Sequence, residues 1–302
     1  MLINEMKDVK VLCLHKITDE KFPSWPGMSL KTFERLLRYI NRNYTVIFPN
    51  QIDEKYKKPK LILTFDDGFE DFYLNAFPLL KKQNIPAVLN VVAKSISEGY
   101  VIWTQQLNDI IDSYIKNNQK ICVDIDNFKI SKHISENEAE KQTLNLFLKL
   151  IEVDEERRIS FISKLKEDLK GKLVSTKMMD KNQLKDVSNA GFAIGCHSMS
   201  HSILNKVKMH DNELKYEIEN SRTLIQNIIE KEIDIFTFPN GLYSEYSVKY
   251  VQKAGYKYIM LGTTSNLPIC EDNNVKILGR TLIYSNNHYK NIFRIKNLHN
   301  LL

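Results

Sequence analysis

The chain has 302 residues, of which 43% are hydrophobic, 10% aromatic and 26% charged, a composition typical of a folded globular protein and not of a disordered one. It carries 43 basic and 37 acidic residues, a formal net charge of +6, without the glycine-arginine tracts or basic-aromatic patterns that indicate nucleic-acid binding. The longest apolar runs, such as 87–93, fall far short of the roughly 20 residues that a membrane-spanning helix needs, so we predict no transmembrane segment.

Residues 1–10 contain acids and lysines but no apolar stretch of the kind found in secretion signals. The four cysteines are widely scattered and show no paired or metal-type spacing. We therefore expect a cytoplasmic protein with reduced thiols. Peripheral association with the inner face of the membrane is the alternative, because the C-terminal segment 289–302 has apolar residues at helical spacing.

The first hundred residues alternate between strand and helix patterns. Ser29 is a candidate N-cap for a helix whose apolar residues recur at helical spacing from Leu30 to Ile40. Such alternation predicts parallel strands with helices outside them. The predicted strands are 9–14, 46–48, a run beginning at 61, and 87–92, and the second predicted helix is 69–83.

The alternation breaks between about residues 103 and 180. This stretch is mostly polar helix, interrupted by a predicted hairpin at 121–130 that turns at Asp126-Asn127. We predict an insertion, a helical lobe within a single domain that comprises residues 1–302. The lobe could be a lid, a dimer contact or a structural insertion of no catalytic consequence.

After residue 180 the alternation resumes, and polar residues follow the predicted strands. A strand beginning at Gly191 ends on His197, and the strand 233–238 runs into Pro239-Asn240-Gly241. In all, about seven strands alternate with helices, a pattern typical of a barrel-like α/β fold. The remaining predicted elements are helices over 211–230 and 244–254 and strands over 256–261 and 275–278.

Two adjacent carboxylates, Asp66 and Asp67, follow the apolar run that begins at Leu61. Unpaired buried carboxylates are costly or shift their pKa, so two acids at the end of a buried strand indicate a local need for negative charge. Catalytic and ligand-binding groups collect at the carboxyl ends of parallel strands. The alternative is that Asp67-Gly68 only marks a turn after an edge strand.

His197 and His201 are four residues apart, a spacing that lets two imidazoles face the same way on one helical turn. Two histidines hold a catalytic metal together with a third ligand, commonly a carboxylate, which Asp66 or Asp67 could supply. Such a set leaves open coordination positions for water and substrate, as a hydrolytic zinc site requires. A lone His-x-x-x-His is often only a surface or capping pair, but its combination with Asp-Asp favours a metal site.

The segments Thr64–Gly68 and His197–His201 together resemble the polysaccharide deacetylase family, also known as the NodB-homology or carbohydrate esterase family four. Phe236–Gly241 is similar to the third motif of that family, which lines the site and contributes a backbone oxyanion donor. The resemblance covers most of the chain apart from the helical insertion. It implies an α/β fold, a distorted (β/α)7 barrel with an inserted helical lobe at about 103–180.

The resemblance also implies a role for each matched position. Asp66 would be the general base, and Asp67, His197 and His201 would bind a divalent metal, with Zn²⁺ as the expected cofactor. The stretch Pro239-Asn240 would contact substrate and stabilise the oxyanion.

Two residues of the family pattern are missing at their usual positions, so other residues would have to take their roles. The third motif lacks its usual arginine, and Arg280 is the candidate replacement that would hold Asp66 ionised; a surface ion pair is the alternative. The usual C-terminal Leu-x-His is also missing, since Asn297-Leu298-His299 does not fit it. Leu12–His15 resembles the rearranged element of a circularly permuted subset of the family, which makes His15 the candidate general acid; a histidine satisfied in a core or loop is the alternative.

The resemblance implies a metal-dependent hydrolase that removes an N-acetyl group from an amino-sugar unit of a glycan or glycan precursor. The expected partner is a nucleotide-, lipid- or oligosaccharide-linked N-acetylated sugar, and we expect no nucleic-acid partner. Removal of a formyl group or cleavage of an O-acetyl ester are alternatives, as is a non-catalytic glycan-binding protein with a degenerate site. Trp103, Tyr243 and His288 are candidate sugar contacts, although aromatic residues near strand ends are often core.

Overall fold

The computed structural model describes residues 9–125, 128–205, 209–262, 270–272 and 275–296. Their fold divides into two compact units. The barrel unit contains the described residues of 1–19, 28–100 and 178–302, and the helical unit contains 20–27 and those of 101–177. Within the described part of the chain, no helix is both long enough and apolar enough to cross a bilayer.

The barrel unit begins with alternating strands and helices. Ser29 caps the first helix, because its hydroxyl accepts a hydrogen bond from the Thr32 N–H at 3.3 Å, as the sequence predicted. A π-helical turn, Phe72–Ala76, precedes the second helix. In chain order the elements are β1 (Val9–Leu14), α1 (Leu30–Asn43), β2 (Thr45–Val46), β3 (Lys60–Phe65), α2 (Phe77–Lys82), β4 (Val88–Val91) and α3 (Ala93–Glu98).

The helical unit interrupts this alternation. The segment 20–27 belongs to this unit, because the Ser24 N–H and hydroxyl both donate to the carboxylate of Asp112, at 2.8 and 2.9 Å. The turn Asp126-Asn127 that the sequence predicted lies outside the described residues. The elements of this unit are α4 (Trp103–Lys116), β5 (Ile121–Ile125), β6 (Phe128–Lys132), α5 (Glu136–Leu150) and α6 (Glu155–Asp168).

The rest of the barrel unit resumes the alternation. A second π-helical turn, Lys215–Asn220, joins two helices into one continuous stretch, and a short 3₁₀ turn, Pro239–Gly241, follows a strand. The elements are α7 (Lys181–Asn189), β7 (Ala193–Cys196), α8 (Asp211–Leu214), α9 (Ser221–Ile229), β8 (Ile235–Thr237), α10 (Glu245–Lys253), β9 (Tyr258–Gly262), β10 (Cys270–Asp272), β11 (Val275–Leu282) and α11 (His288–Ile295).

Seven of the described strands close into a parallel barrel, in the order β1-β3-β4-β7-β8-β9-β11 and back to β1. Closure depends on β1, which pairs with β3 over six residues and with β11 through Leu12 and Thr281. β2 extends the sheet beside β3, and β10 pairs antiparallel with β11. The predicted (β/α)7 barrel is therefore confirmed.

The barrel interior is filled by alternate residues of the strands. Six of them form one buried apolar cluster, while their strand neighbours, such as Leu12 and Leu63, pack in a second cluster with helix residues such as Phe33 and Leu36. Because successive strand residues point to opposite faces, this division separates the inside of the barrel from the layer beneath the helices. The inner six are Val11, Ile62, Val88, Ile235, Met260 and Leu278.

Candidate active site

Two residues beyond the inner apolar six, the next inward-facing positions of the strands hold polar or small residues. This second layer is buried and its members contact one another; for example, Arg280 Nη1 donates to Thr64 Oγ1 at 3.2 Å. Another two residues on, at the carboxyl ends of the strands, come His15, Asp66 and His197. In β1, β3 and β7 the period of two thus leads from the bottom of the barrel, through the second layer, to these side chains at the rim. The second layer comprises Cys13, Thr64, Asn90, Gly195, Thr237 and Arg280.

Asp66 and Asp67 are both almost fully buried, each with only 3% of its surface exposed. Consecutive residues of an extended strand would point to opposite faces. Here Asp67 adopts a left-handed conformation, with φ 76°, and so does Gly68, with φ 82°. This turn brings both carboxylates into the barrel mouth, and it explains why the pair is followed by glycine.

Asp67, His197 and His201 converge on one point. Oδ1 of Asp67 lies 3.4 Å from Nε2 of His197 and 3.4 Å from Nε2 of His201. Burial alone would raise the pKa of Asp67, but the two imidazoles beside it hold the pKa well below its usual range. Asp67 is therefore an anion facing two nitrogen atoms.

The second nitrogen of His197 fixes the direction of the first. Nδ1 lies 2.8 Å from the carbonyl oxygen of Thr237, at the end of β8. A carbonyl only accepts, so Nδ1 carries a proton, and Nε2, on the Asp67 side, is the nitrogen that would bind a cation. Orientation of a metal-ligating imidazole by a backbone carbonyl is common in zinc proteins.

The donor set fits a divalent cation. A tetrahedral Zn²⁺ at about 2.0–2.1 Å from each ligand places neighbouring ligand atoms about 3.3–3.4 Å apart. That spacing matches the 3.4 Å observed between Asp67 and each histidine. In addition, Asp67 Oδ1 is buried and makes no hydrogen bond with the described residues. One carboxylate and two imidazoles are ligands that zinc and other divalent transition metals accept.

Asp66 lies in a cage of hydrogen-bond donors. Oδ1 accepts from Arg280 Nη1 and from Asn90 Nδ2, each at 2.7 Å, and Oδ2 accepts a weaker bond from the Cys13 thiol at 3.3 Å. Burial would raise the pKa of Asp66, but the Arg280 guanidinium holds that pKa well below its usual range. Asp66 is thus ionised, with Oδ2 as its less committed oxygen.

Arg280 lies inside β11 and not after it. The sequence predicted a strand ending at Leu278, whereas the strand continues to Leu282 and buries the guanidinium, which is 4% exposed. The Gly279-Arg280 pair resembles a strand end in sequence, but the ion pair with Asp66 compensates the charge within the barrel. The alternative of a surface ion pair is excluded by this burial.

Asn90, Cys13 and Gly195 were not singled out from the sequence. Asn90 follows Ala87, Val88 and Leu89 in an otherwise apolar strand, and that polar interruption was the available signal. Gly195 makes room for it, because a Cβ at that position would lie 2.1 Å from Asn90 Oδ1. The carboxylate cage therefore depends on a glycine on the neighbouring strand.

His15 directly follows β1, beside Asp66, which directly follows β3. Leu14 pairs with Phe65 in these neighbouring strands, and one ring nitrogen of His15 is within 4.8 Å of an Asp66 oxygen. Burial lowers the pKa of His15, although the charges of Asp67 and Asp66 oppose that shift. The barrel therefore brings His15 to the rim where the sequence predicted an acid.

Pro239 and Asn240 form the turn after β8. Asn240 is left-handed, with φ 55° and ψ 9°, and its side-chain Nδ2 is buried and makes no hydrogen bond with the described residues. Gly241 packs against Gly262 at the end of β9, since a Cβ on Gly241 would lie 2.4 Å from the Gly262 carbonyl oxygen. This contact fixes the turn at the carboxyl end of its strand.

The three predicted sugar contacts have different surroundings. Trp103 is 4% exposed within the helical unit, with Phe147 stacked on its ring at 5.5 Å and the Arg158 guanidinium at 4.8 Å, so it has no ring face for a sugar. His288 packs against the ring of Tyr39. Tyr243 is half-buried and bridges to Leu204, in the loop after His201. For Trp103 the burial bears out the alternative of a core aromatic, and the other two sugar contacts stay predictions.

Comparison with known proteins shows what this chain is similar to. The family model described as polysaccharide deacetylase matches residues 53–259. The chain is 20% identical over 234 residues to YxkH of Bacillus subtilis (strain 168), whose name places it among polysaccharide deacetylases. That match covers 75% of this chain and 56% of YxkH, so the chain spans little more than half the length of this relative.

Two solved structures share the fold. The Streptococcus pyogenes deacetylase PplD, in complex with acetate, has a TM-score of 0.60 and 15% identity, covering 95% of this chain and 97% of PplD. IcaB from Ammonifex degensii has a TM-score of 0.59 and 14% identity, covering 97% of this chain and 98% of IcaB. At these identities the likeness concerns the fold alone.

The family match includes Asp66, Asp67, His197 and His201 but neither His15 nor Arg280. From outside the matched residues, the barrel brings His15 to the rim and the Arg280 guanidinium to Asp66. Circular permutation relative to other members stays a prediction. The match spans more than half of the 302 residues, and the chain belongs to the polysaccharide deacetylase family.

Proposed function

We propose that this protein is a metal-dependent hydrolase that removes the N-acetyl group from an amino-sugar unit of a glycan or glycan precursor. The observation that carries the proposal is the convergence of Asp67, His197 and His201 beside a second, separately held carboxylate, Asp66. Asp67 faces the candidate cation position, and Asp66 faces the Arg280 guanidinium. Asp67 therefore suits the role of metal ligand and Asp66 that of general base.

Asp67, His197 and His201 would hold the cation, for which Zn²⁺ fits the ligand types and spacing. When bound there, the cation would act as a Lewis acid and lower the pKa of water from 15.7 towards about 7. Asp66 would accept the proton on Oδ2, because Oδ1 already accepts two short hydrogen bonds. The low pKa that Arg280 gives Asp66 keeps this carboxylate ionised before the reaction.

The remaining roles concern the substrate carbonyl and the leaving amine. The turn at Pro239-Asn240 would place a backbone N–H near the oxyanion, a contribution typically of about 2.7–4 kcal/mol. An amine anion is not a viable leaving group, so amide cleavage needs a proton donor. His15 is the candidate, since one of its ring nitrogens lies within 4.8 Å of an Asp66 oxygen. One bridging water would relay the proton that Asp66 accepts to this nitrogen, and the imidazolium would then deliver a proton to the amine.

The proposal is tested by combining metal analysis with an assay of acetate release. Substrates would be N-acetylated amino-sugar oligosaccharides and nucleotide- and lipid-linked N-acetyl sugars, with N-formyl and O-acetyl analogues alongside. We expect acetate release that requires the cation and is lost in His197→Ala. His133→Ala is the matched control, because His133 is exposed and belongs to the helical unit.

Two outcomes would contradict the proposal. Full activity of metal-stripped protein, or of the Asp67→Ala/His197→Ala double variant, would show that these residues hold no catalytic cation. Release of formate but not of acetate from matched substrates would show that the protein is a hydrolase for N-formyl and not for N-acetyl groups.

A further inference from the structure

One buried carboxylate near the site is not used by the proposed function. Glu217 belongs to the π-helical turn Lys215–Asn220, between α8 and α9, and only 5% of its surface is exposed. A carboxylate this deep needs hydrogen-bond donors, because an uncompensated buried charge costs several kcal/mol. Its donors come from a single segment, the loop that carries His201.

Glu217 accepts four hydrogen bonds from that loop. Oε2 accepts from the backbone N–H groups of Met199 and Ser200, at 3.1 and 3.0 Å. Oε1 accepts from the hydroxyls of Ser200 and Ser202, at 2.6 and 3.2 Å. Each carboxylate oxygen thus has two donors, and all of these donors lie between or next to His197 and His201.

The same loop has an unusual backbone. Ser198 and His201 have φ values of 67° and 62°, in the left-handed region that non-glycine residues seldom adopt. Residues held in this region cost of the order of 1–3 kcal/mol each and persist only where the surroundings fix them. One of the two strained residues is a candidate metal ligand.

The opposite side of the loop is held by α3. The N–H groups of Ala93 and Lys94, in the first turn of α3, donate to the carbonyls of Ser198 and Met199, at 3.1 and 3.0 Å. The loop carbonyls therefore bond to a helix N-terminus and the loop N–H groups bond to Glu217. Together these contacts hold the strained path that brings His201 to face His197.

We propose that Glu217 is a positioning residue for the metal site, which fixes the His197–His201 loop in its binding geometry before the cation arrives. This inference rests on the proposed function, because it assumes that His197 and His201 bind a cation. Partners one step removed from a metal typically change its affinity about 10- to 100-fold when they are removed. A loss of this size is what we expect for Glu217, although its carboxylate is committed to the loop and not to the metal.

The test compares Glu217→Ala, Glu217→Gln and the control Glu219→Gln in the full chain. Glu219 lies on the same π-helical turn but accepts from Tyr250 at 2.7 Å, away from the loop. Glutamine can bond the two backbone N–H groups with its oxygen and the two serine hydroxyls with its NH₂ group. We therefore expect Zn²⁺ affinity to fall about 10- to 100-fold in Glu217→Ala and much less in Glu217→Gln, and to stay at wild type in Glu219→Gln.

Affinity would be measured for Zn²⁺ alone, by competition with a chromophoric chelator at a temperature where each metal-free variant is folded. The Tm of each metal-free variant is recorded in parallel. A lower Tm with unchanged Zn²⁺ affinity in Glu217→Ala would assign Glu217 a merely structural role and overturn the inference. Absence of Zn²⁺ binding by the wild-type protein would instead overturn the proposed function and this inference with it.

A second variant keeps the inference testable if Glu217→Ala does not fold. Ser200→Ala removes the 2.6 Å bond to Oε1 and leaves both backbone bonds to Oε2 in place. A several-fold loss of Zn²⁺ affinity in Ser200→Ala, with its Tm near wild type, would support the inference. Wild-type affinity in this variant would oppose it.

Discussion

The side-chain amide of Asn90 donates a 2.7 Å hydrogen bond to Oδ1 of Asp66, the oxygen that also accepts from Arg280. The amide belongs to β4, the strand beside β3, where Asn90 is fully buried. A neutral donor and a cationic donor therefore share one oxygen of the candidate base. This arrangement fixes the rotation of the carboxylate and leaves Oδ2, which accepts the weaker bond from Cys13, as the candidate proton acceptor.

Asn90→Ala should lower kcat while leaving KM close to wild type. A hydrogen bond to a charged group is worth about 1.5–3 kcal/mol, which corresponds to a loss of about 10- to 100-fold in rate. Steady-state kinetics on an N-acetylated substrate measure the effect. Gly195→Ala should reproduce it, since the new Cβ would meet the Asn90 side chain at 2.1 Å. Equal rates in wild type and Asn90→Ala would show that Arg280 alone holds Asp66.

Arg280→Met should destabilise the fold as well as remove activity. Without the guanidinium, Asp66 becomes a buried carboxylate without its ion-pair partner, and breaking a buried pair on one side typically costs about 3–5 kcal/mol. Urea unfolding would measure this loss. The Asp66→Asn/Arg280→Met double variant should regain much of the stability and none of the activity. If the double variant were as unstable as Arg280→Met, the loss in free energy of unfolding would come from lost packing and not from the unpaired charge.

The sequence predicted the rim of the barrel better than the layer below it. Asp66 and His197 stand directly after apolar runs, and Asp67 and His201 follow them within four residues, so strand ends, spacing and residue types were enough to group the four. Asn90 and Cys13 lie within such runs. Whether a residue inside a strand faces the barrel or the helices follows from register, and register depends on pairings that join distant parts of the chain.

The left-handed residues were equally hard to predict. Asp67, Ser198 and His201 all have φ values that a local reading of the sequence would not assign to them. They adopt these values because tertiary contacts, such as those of Glu217 with the loop, fix the backbone there. The candidate ligands could thus be proposed from residue types and spacing, whereas the contacts that hold their loop could not.

His15→Ala should separate amide from ester hydrolysis. An amine needs a proton to leave, whereas a phenolate leaves without one, so loss of a general acid affects an amide far more than an aryl ester. We expect kcat on an N-acetyl amino sugar to fall about 10²- to 10⁴-fold, and hydrolysis of an aryl acetate to fall much less. Parallel assays of one preparation give the ratio. An equal loss on both substrates would remove the general-acid role and point to His15 as a support for Asp66.

Zn²⁺ should raise the thermal stability of the metal-free protein. A ligand that binds only the folded state stabilises it by about 2.7 kcal/mol when present at a hundred times its Kd. Differential scanning calorimetry with increasing Zn²⁺ would measure the rise in Tm. His201→Ala removes one of the three ligands and should abolish most of the shift, whereas His133→Ala should keep it. An undiminished shift in His201→Ala would locate the binding elsewhere in the chain.

Asp71 should make the stability of the fold depend on pH. Its Oδ2 accepts from the Ile17 N–H at 2.6 Å, near His15, while burial raises the pKa of Asp71 to about 7 against the opposing charge of Lys16. A carboxyl whose folded pKa exceeds its unfolded value of 3.8 stabilises the fold most below that unfolded value. This contribution is lost as the pH rises towards 7, because the folded state then binds more protons than the unfolded state.

The expected result is that the free energy of unfolding of wild type, relative to Asp71→Asn, falls by about 3–4 kcal/mol between pH 4 and pH 8. Asparagine keeps an acceptor for the Ile17 N–H but does not titrate, so the comparison isolates the carboxyl group. Urea unfolding at several pH values provides the measurement, and Asp53→Asn, at an exposed aspartate, serves as the control. If the difference between wild type and Asp71→Asn were constant with pH, the pKa of Asp71 would be the same in the folded and unfolded states, and Lys16 would offset the effect of burial.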